Sequence, residues 1–241
     1  GLEILNSPHF PDAFRGAAIT CDFRAHRIVR FTLSENGAGF AAKHEGDFIR
    51  SSNVTFRPID VKQGPDGALY IADWSNPIIQ HGEVDFRDPR RDKVHGRIWR
   101  VTFKGRPLVK KQNFRRMKNA TLFDVLKTDN QYDKRQARRV LHERGKEVLK
   151  DLPKWSAKER GGQAKLEALW LYEALDVENF KLLQDMLSNA DDPRIRAAAV
   201  RVLSHWGERI PDVLRMKMLN ALVGDEHPRV RLEAIRALGQ I

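Results

Sequence analysis

Along the first 106 residues, apolar and polar side chains alternate in short runs broken by Gly, Pro, Asn and Asp. A period of two with frequent breakers predicts short β-strands joined by tight turns. GPDGALYIADW is typical. Gly64-Pro65-Asp66-Gly67 supplies a turn, and Ala68 to Trp74 a strand rich in Leu, Tyr, Ile and Trp. From about Leu122 the apolar spacing changes to three and four residues, which predicts helices. Between the two regions KGRPLVKKQNF, Lys104 to Phe114, reads as an extended basic connector. The expected division is β structure over 1–106, a basic linker over 107–119 and helices over 120–241.

Each region repeats internally. Gly16 to Phe23 (GAAITCDF) aligns with Gly67 to Trp74 (GALYIADW), and Arg27-Ile28-Val29-Arg30-Phe31 with Arg97-Ile98-Trp99-Arg100-Val101. Each unit is a strand ending in Asp-aromatic, then a strand opening with Arg-Ile. Four short strands per unit at this period are the mark of a β-propeller, so the N-terminal region reads as about two blades. From Asp22 to Arg27 the step is 5 residues and from Asp73 to Arg97 it is 24, so the second unit carries 19 more residues in that loop. Such an excursion lies at one rim, where repeat folds tend to put function. A two-blade piece cannot close a ring, and it leaves apolar faces and strand edges open.

In the C-terminal region Ala199-Val200-Arg201-Val202-Leu203 and Ala234-Ile235-Arg236-Ala237-Leu238 match at a spacing of 35. Ala168-Leu169-Trp170-Leu171 and Ala137-Arg138-Arg139-Val140-Leu141 lie 31 and 62 residues before Ala199. Helix starts precede the Ala199 and Ala234 segments at Asp192-Pro193 and Glu226-His227-Pro228, with proline in the first turn. The spacing predicts an α-solenoid of four helical pairs. Asp225 to Arg231 (DEHPRVR) is similar to the HEAT-repeat signature. Arg196 and Arg231, at equivalent positions, are expected to meet acidic residues of a neighbouring repeat.

Charge adds a bias. Lys and Arg number 43 against 32 Asp and Glu, a net charge of +11. Residues 107–150 hold 13 basic and 5 acidic side chains. This suits an acidic partner surface or simply a solvated helical face. Arg135, Arg138, Arg139 and Arg144 cluster on one helix, yet no base-reading motif accompanies them, and nucleic acid is not the expected partner. Cys21 is the only cysteine, which excludes an intrachain disulfide and a Cys-x-x-Cys-His haem attachment. No apolar run approaches a membrane span. Beginning at Gly1 without a signal-peptide pattern, the chain reads as a mature product or a piece of a longer protein.

Phe56 to Val101 (FRPIDVKQGPDGALYIADWSNPIIQHGEVDFRDPRRDKVHGRIWRV) resembles the last blade of a bacterial family. Its members join a glucose/sorbosone-dehydrogenase-like β-propeller to HEAT repeats and often to a cytochrome c domain. They are the membrane-bound dehydrogenase-type, or haem-binding, proteins of planctomycetes and verrucomicrobia. The resemblance extends over nearly the whole chain. It implies a periplasmic or extracellular protein whose complete form oxidises a sugar or related alcohol with pyrroloquinoline quinone, passing electrons to haem c. The missing blades and the cytochrome domain would then be partners within the same protein. The alternative is a scaffold without chemistry that holds a carbohydrate or an acidic protein.

The excursion supplies the candidate ligands. Arg87, Arg90 and Arg91 present forks suited to a carboxylate, a phosphate or a quinone. His81 and His95 are candidate proton acceptors. Against this, Glu83, Asp85, Asp88 and Asp92 balance Arg87, Arg90, Arg91 and Lys93, as a self-satisfied salt-bridge network would. Asp85, Asp88 and Asp92 offer oxygen ligands for calcium at a spacing that fits no loop template. His9, His26, His81 and His95 lack zinc spacing. Asp22 and Asp73 are expected to cap a turn in each blade, Trp74 and Trp99 to pack blades, and Trp155, Trp170 and Trp206 to fill helix cores. No catalytic residue is assignable from the sequence.

Overall fold

A computed structural model describes residues 1–79 and 84–240. The chain forms two antiparallel sheets followed by a helical C-terminal region. It divides into two compact units, residues 1–34, 41–112 and 129–132 in the first and the remainder in the second.

In the first unit, β1 (Leu2–Leu5), β2 (Ala17–Asp22), β3 (Arg27–Asn36) and β4 (Gly39–Arg50) form a meander in sequence order. β5 (Pro58–Gln63), β6 (Leu69–Asp73) and β7 (Arg97–Val101) form a second one. The repeat seen in the sequence is a repeat of register. Asp22 stands opposite Arg27 on β2 and β3, and Asp73 opposite Arg97 on β6 and β7. Gly16 and Gly67, which open the equivalent strands, both have positive φ, +75° and +80°. At Gly67 a side chain would also strike His9, Ser7 and Val109, the first two at 2.9 Å and the last at 2.6 Å, so the position needs glycine twice over.

Alternation puts one face of each sheet into a shared core of Leu5, Phe10, Ile19, Ile28, Val61, Leu69 and Ile71, with Phe14, Phe48, Ile49 and Val101 at its margin. The second sheet departs from the expected four strands. Among the described residues it has three, and no ring closes. After Val101 the chain turns at Phe103–Arg106, with Gly105 at positive φ. His9 then clasps this segment. Its Nδ1–H donates to Pro107 O and its Nε2 accepts the Phe103 N–H, both at 2.8 Å. A buried imidazole with both nitrogens committed to backbone is no metal ligand.

The second unit contains α1 (Asn119–Val125), α2 (Gln131–Glu143), α3 (Leu152–Lys158), α4 (Gly162–Ala174), α5 (Phe180–Asn189), α6 (Pro193–His205), α7 (Asp212–Leu222) and α8 (Pro228–Leu238). The anticipated starts are present. Asp192 caps α6 by accepting the Arg194 N–H, and the His227 ring does the same for Arg229 at α8, each with proline next. α4, α6 and α8 pack side by side, while α5 packs on α6 and α7 on α8.

Buried acids join one helical pair to the next. Arg138 forks onto Glu167, which is 1% exposed, at 2.8 and 2.5 Å. Arg196 forks onto Asp225 at 2.9 and 3.0 Å, and Arg201 reaches Glu233 at 2.5 Å. Arg231 instead donates to the Asp225 and Glu226 carbonyls. Trp206 is buried against Phe180, and Trp155 stacks on Phe123 at 5.0 Å. Trp170 lies beneath the Arg138 guanidinium, 5.4 Å from its ring centre.

The Arg201 hydrogen bond holds the Glu233 carboxyl below its usual range, against the opposing effect of burial. A depressed carboxyl contributes stability that is complete above its unfolded pKa and disappears as pH falls through its lower folded pKa. Arg201→Met is therefore expected to cost about 1–3 kcal/mol at pH 7. Urea melts should show the gap to wild type narrowing once pH drops below the usual Glu value of 4.5. A gap unchanged with pH would refute this pairing.

Candidate functional site

The loop of residues 74–96 grows from a corner at the end of β6. Asp73 is buried there with four donors around it. Its Oδ1 accepts the N–H groups of Arg57 and Ser75 at 2.7 and 2.9 Å, and its Oδ2 accepts the Trp99 indole N–H at 2.8 Å. Arg97 Nε lies 3.0 Å from the same oxygen, off the line of its N–H, which makes this an ion pair rather than a hydrogen bond. Arg97 Nη2 donates instead to Thr55 O and Oγ1. The equivalent Asp22 accepts the Ala25 N–H and pairs with Arg27 at 2.9 Å.

Arg57 then ties the two corners together. Its guanidinium donates to the carbonyls of Asn76 at 2.8 Å, Pro77 at 3.1 Å, Phe23 at 2.9 Å and Arg24 at 3.3 Å. Its own carbonyl accepts the Trp74 N–H at 2.9 Å. Burial pulls its pKa below the usual arginine range, and Asp73 pushes the other way. A charged fork surrounded by neutral carbonyls is an expensive arrangement, and its use here marks a position whose geometry matters.

Beyond the corner the loop is held by its own polar groups. Asp85 Oδ1 accepts the Arg87 N–H, Asp88 Oδ1 the Arg90 N–H, and Asp92 Oδ1 those of Val94 and His95, at 2.7 to 3.0 Å. Three aspartates therefore build three successive turns. The Asn76 amide donates to Asp92 O at 3.0 Å, which pins the far end to the root.

This geometry places the predicted residues. Arg91 is buried and donates to Val84 O and Asp85 O, so it is part of the scaffold. Arg90 forks onto Asp88 at 3.0 and 2.7 Å. Arg87 is exposed, and among the described residues its side chain meets no partner. His95 is exposed, with Nδ1 at 3.1 Å from both Asp92 oxygens. His81 lies outside the described residues. Asp85, Asp88 and Asp92 are not brought together as a calcium site. Among the described residues, no group of three or more His, Cys, Asp and Glu is placed to hold a metal. The sequence reading missed Arg57 altogether; a lone arginine after an aromatic gives no periodic signal.

A recess of ≈ 440 Å³ opens on this loop, lined among others by Trp74, Asn76, Phe86, Asp92, Lys93 and His95. Only one of the three arginines expected to face a quinone, Arg87, is left exposed here without a partner among the described residues. Arg91 is turned inward and Arg90 is engaged by Asp88. Nor does the chain supply thiols for haem attachment, with Cys21 alone. Two arginines of the basic cluster are engaged as well. Arg138 is on Glu167, and Arg144 donates to Asn119 Oδ1 and to the Arg115 and Met117 carbonyls. Among the described residues no helix is long and apolar enough to cross a membrane.

The Asp88 carboxyl is held down to about 2 by the Arg90 side chain first and the Arg90 N–H second. This contribution is in place above the ordinary 3.8 and is lost as pH falls through about 2. An NMR titration should give an Asp88 midpoint near 2, moving toward 3.8 in Arg90→Gln. A wild-type midpoint at the ordinary value would show the loop charges to be unpaired in solution.

Residues 1–105 match a family described as Domain of unknown function (DUF7133), and residues 180–241 match HEAT repeats. No curated protein and no solved structure matches the chain. Neither family description names a propeller, a dehydrogenase or a haem. Helices α5 to α8 are therefore HEAT repeats, and the two sheets ahead of them lie within the stretch that is similar to the domain of unknown function.

Proposed function

We propose that this chain is a binding scaffold, with the recess of the 74–96 loop as the rim that holds a carbohydrate. The two sheets act as consecutive blades of a β-propeller whose other blades lie outside these 241 residues, and the HEAT repeats provide a second surface. One observation carries the reading. The loop spends most of its charges on its own shape, and what it leaves at the recess is aromatic surface beside a few fixed polar groups. Neutral polyols are held in this way, with an apolar sugar face against a ring and hydroxyls on amide and carboxylate groups. Phe86 is 65% exposed, and the Asp92 carboxylate is fixed by the N–H groups of Val94 and His95, while the buried Asn76 is scaffold, its amide donating to Asp92 O and accepting the Ile78 N–H. The resemblance of Phe56–Val101 to exported proteins supports a place outside the cytoplasm.

A second reading rests on His95. Asp92 orients the ring through Nδ1 and leaves Nε2 able to accept a proton from an alcohol. In that reading the complete protein is a sugar or alcohol dehydrogenase whose quinone and haem sit in other parts of it.

The two readings separate in one set of measurements. NMR titration of the chain with neutral oligosaccharides should shift resonances around Asn76, Phe86 and Asp92. Phe86→Ala should weaken binding roughly tenfold, the value of one lost aromatic platform. No shifts with any neutral glycan, together with quinone-dependent dye reduction by the complete protein that His95→Ala abolishes, would reverse the conclusion. Turnover by the 241 residues alone would contradict both.

A further inference from the structure

Many of the charges described above are matched within the molecule, and one stretch leaves its charges open. Between Val101 and Phe123 the chain holds seven basic residues and no acidic one. In the β unit this run is the segment that follows β7. It turns at Phe103–Arg106 and is held from behind. The His9 ring takes the Phe103 N–H and the Pro107 carbonyl, and the Val109 N–H donates to Asp66 O at 2.9 Å. Every residue from Thr102 to Leu108 is exposed, and so are Lys110 and Lys111, which makes the segment a protruding ledge. Among the described residues Lys104, Lys110 and Lys111 meet no carboxylate, and Arg106 reaches only the Pro8 carbonyl, at 3.4 Å. Asp66, whose carbonyl holds Val109, has its carboxylate occupied by Arg100 and Tyr70. Four cations without an acidic partner therefore stand on anchored backbone. Apolar surface lies among them. Leu108 is 47% exposed, and Phe103, resting edge-on against Phe10 and Phe14, is 37% exposed.

We propose that this ledge docks the protein onto an anionic lipid surface. A ledge that stands out from its unit suits a plane better than a ligand that needs enclosing walls. Lys104, Arg106, Lys110 and Lys111 meet the headgroup phosphates, and none has to leave an internal acid to do so. Leu108 decides between sources of negative charge. An acidic polysaccharide or a nucleic-acid backbone offers its side chain nothing apolar, whereas at a membrane the acyl chains begin just beneath the phosphates. The lysine stems can lie along that same boundary with their ammonium groups at the headgroups. The protein would lie on such a surface without crossing it. This inference does not depend on what the 74–96 recess holds.

The test is flotation of the 241-residue chain with vesicles of phosphatidylcholine alone, or with one third phosphatidylglycerol. Binding is expected to the anionic vesicles and not to the neutral ones, and it should vanish in roughly 1 M salt, where screening acts within about 3 Å. Lys110→Gln combined with Lys111→Gln should weaken it roughly 30-fold. Leu108→Ser should weaken it roughly fivefold and keep the salt dependence. Lys181→Gln combined with Lys217→Gln removes the same charge from exposed positions on α5 and α7 and should leave binding unchanged. An equal loss in that helical control would overturn the proposal by tracing the binding to net charge. Wild-type binding by Leu108→Ser, or equal binding to neutral vesicles, would also overturn it. So would failure to float with anionic vesicles. Retention on heparin or polyglutamate that the Lys110 and Lys111 changes abolish would then reassign the ledge to a soluble polyanion.

Discussion

One buried arginine connects the parts of the β unit. Arg57 leads into β5, and its guanidinium reaches the carbonyls of both Asp-aromatic corners, Phe23–Arg24 on one sheet and Asn76–Pro77 on the other. Its backbone N–H is one of the donors on Asp73, which also takes Ser75 and Trp99 and sits beside Arg97. The sheets share an apolar core, but a core of aliphatic side chains tolerates sliding. A charged fork on four carbonyls does not, because each lost contact leaves a buried donor or acceptor unpaired. The position of the 74–96 loop follows from this, since the loop starts at the carbonyls that Arg57 holds.

The same logic governs the charges elsewhere. A net charge of +11 suggests a molecule seeking anions. Pairing leaves that net excess unchanged, but the structure fixes many of the individual charges internally. Glu167, Glu233 and Asp225 draw arginines from the preceding helical pair, Arg144 serves backbone carbonyls, and Asp88 takes Arg90. Half-buried pairs of this kind fix the register between repeats more than they add net stability, since desolvation offsets much of the attraction. The groups that remain at the 74–96 recess are aromatic rings, the Asp92 carboxylate, the Lys93 ammonium and one oriented histidine, the mixed lining behind the polyol reading proposed above.

Much of the architecture was legible in the sequence because repeats announce themselves. The Gly-to-Asp-aromatic units predicted equivalent strands, and the structure gives Asp22 and Asp73 the same cross-strand arginine partner. The Asp-Pro and His-Pro helix starts were equally readable from local rules of capping, and the likeness to HEAT repeats pointed to an acidic partner for Arg196, found in Asp225, though not to the carbonyls that Arg231 takes instead. What escaped depends on contacts between residues far apart in the chain. Nothing near His9 indicates that its ring clasps Phe103 and Pro107, and nothing near Arg57 shows its four carbonyls. The third strand of the second sheet ends without a successor because the chain turns away at Gly105, a glycine indistinguishable in sequence from any other turn glycine. For the loop, the balance of charges pointed to an internal network, but which arginine turned inward was settled by the Asp85 turn, not by composition.

The most direct measurement is hydrogen–deuterium exchange on Arg57→Met, a change that keeps most of the aliphatic stem and removes the fork. The substitution is expected to cost about 2–4 kcal/mol, as for several hydrogen bonds from one charged group. Exchange at Ala25 on one corner and at Trp74, Ser75 and Ile78 on the other should then accelerate together, with α4 to α8 unchanged. Acceleration confined to one corner, or none at either, would show that the apolar core alone fixes the sheets and that Arg57 is incidental.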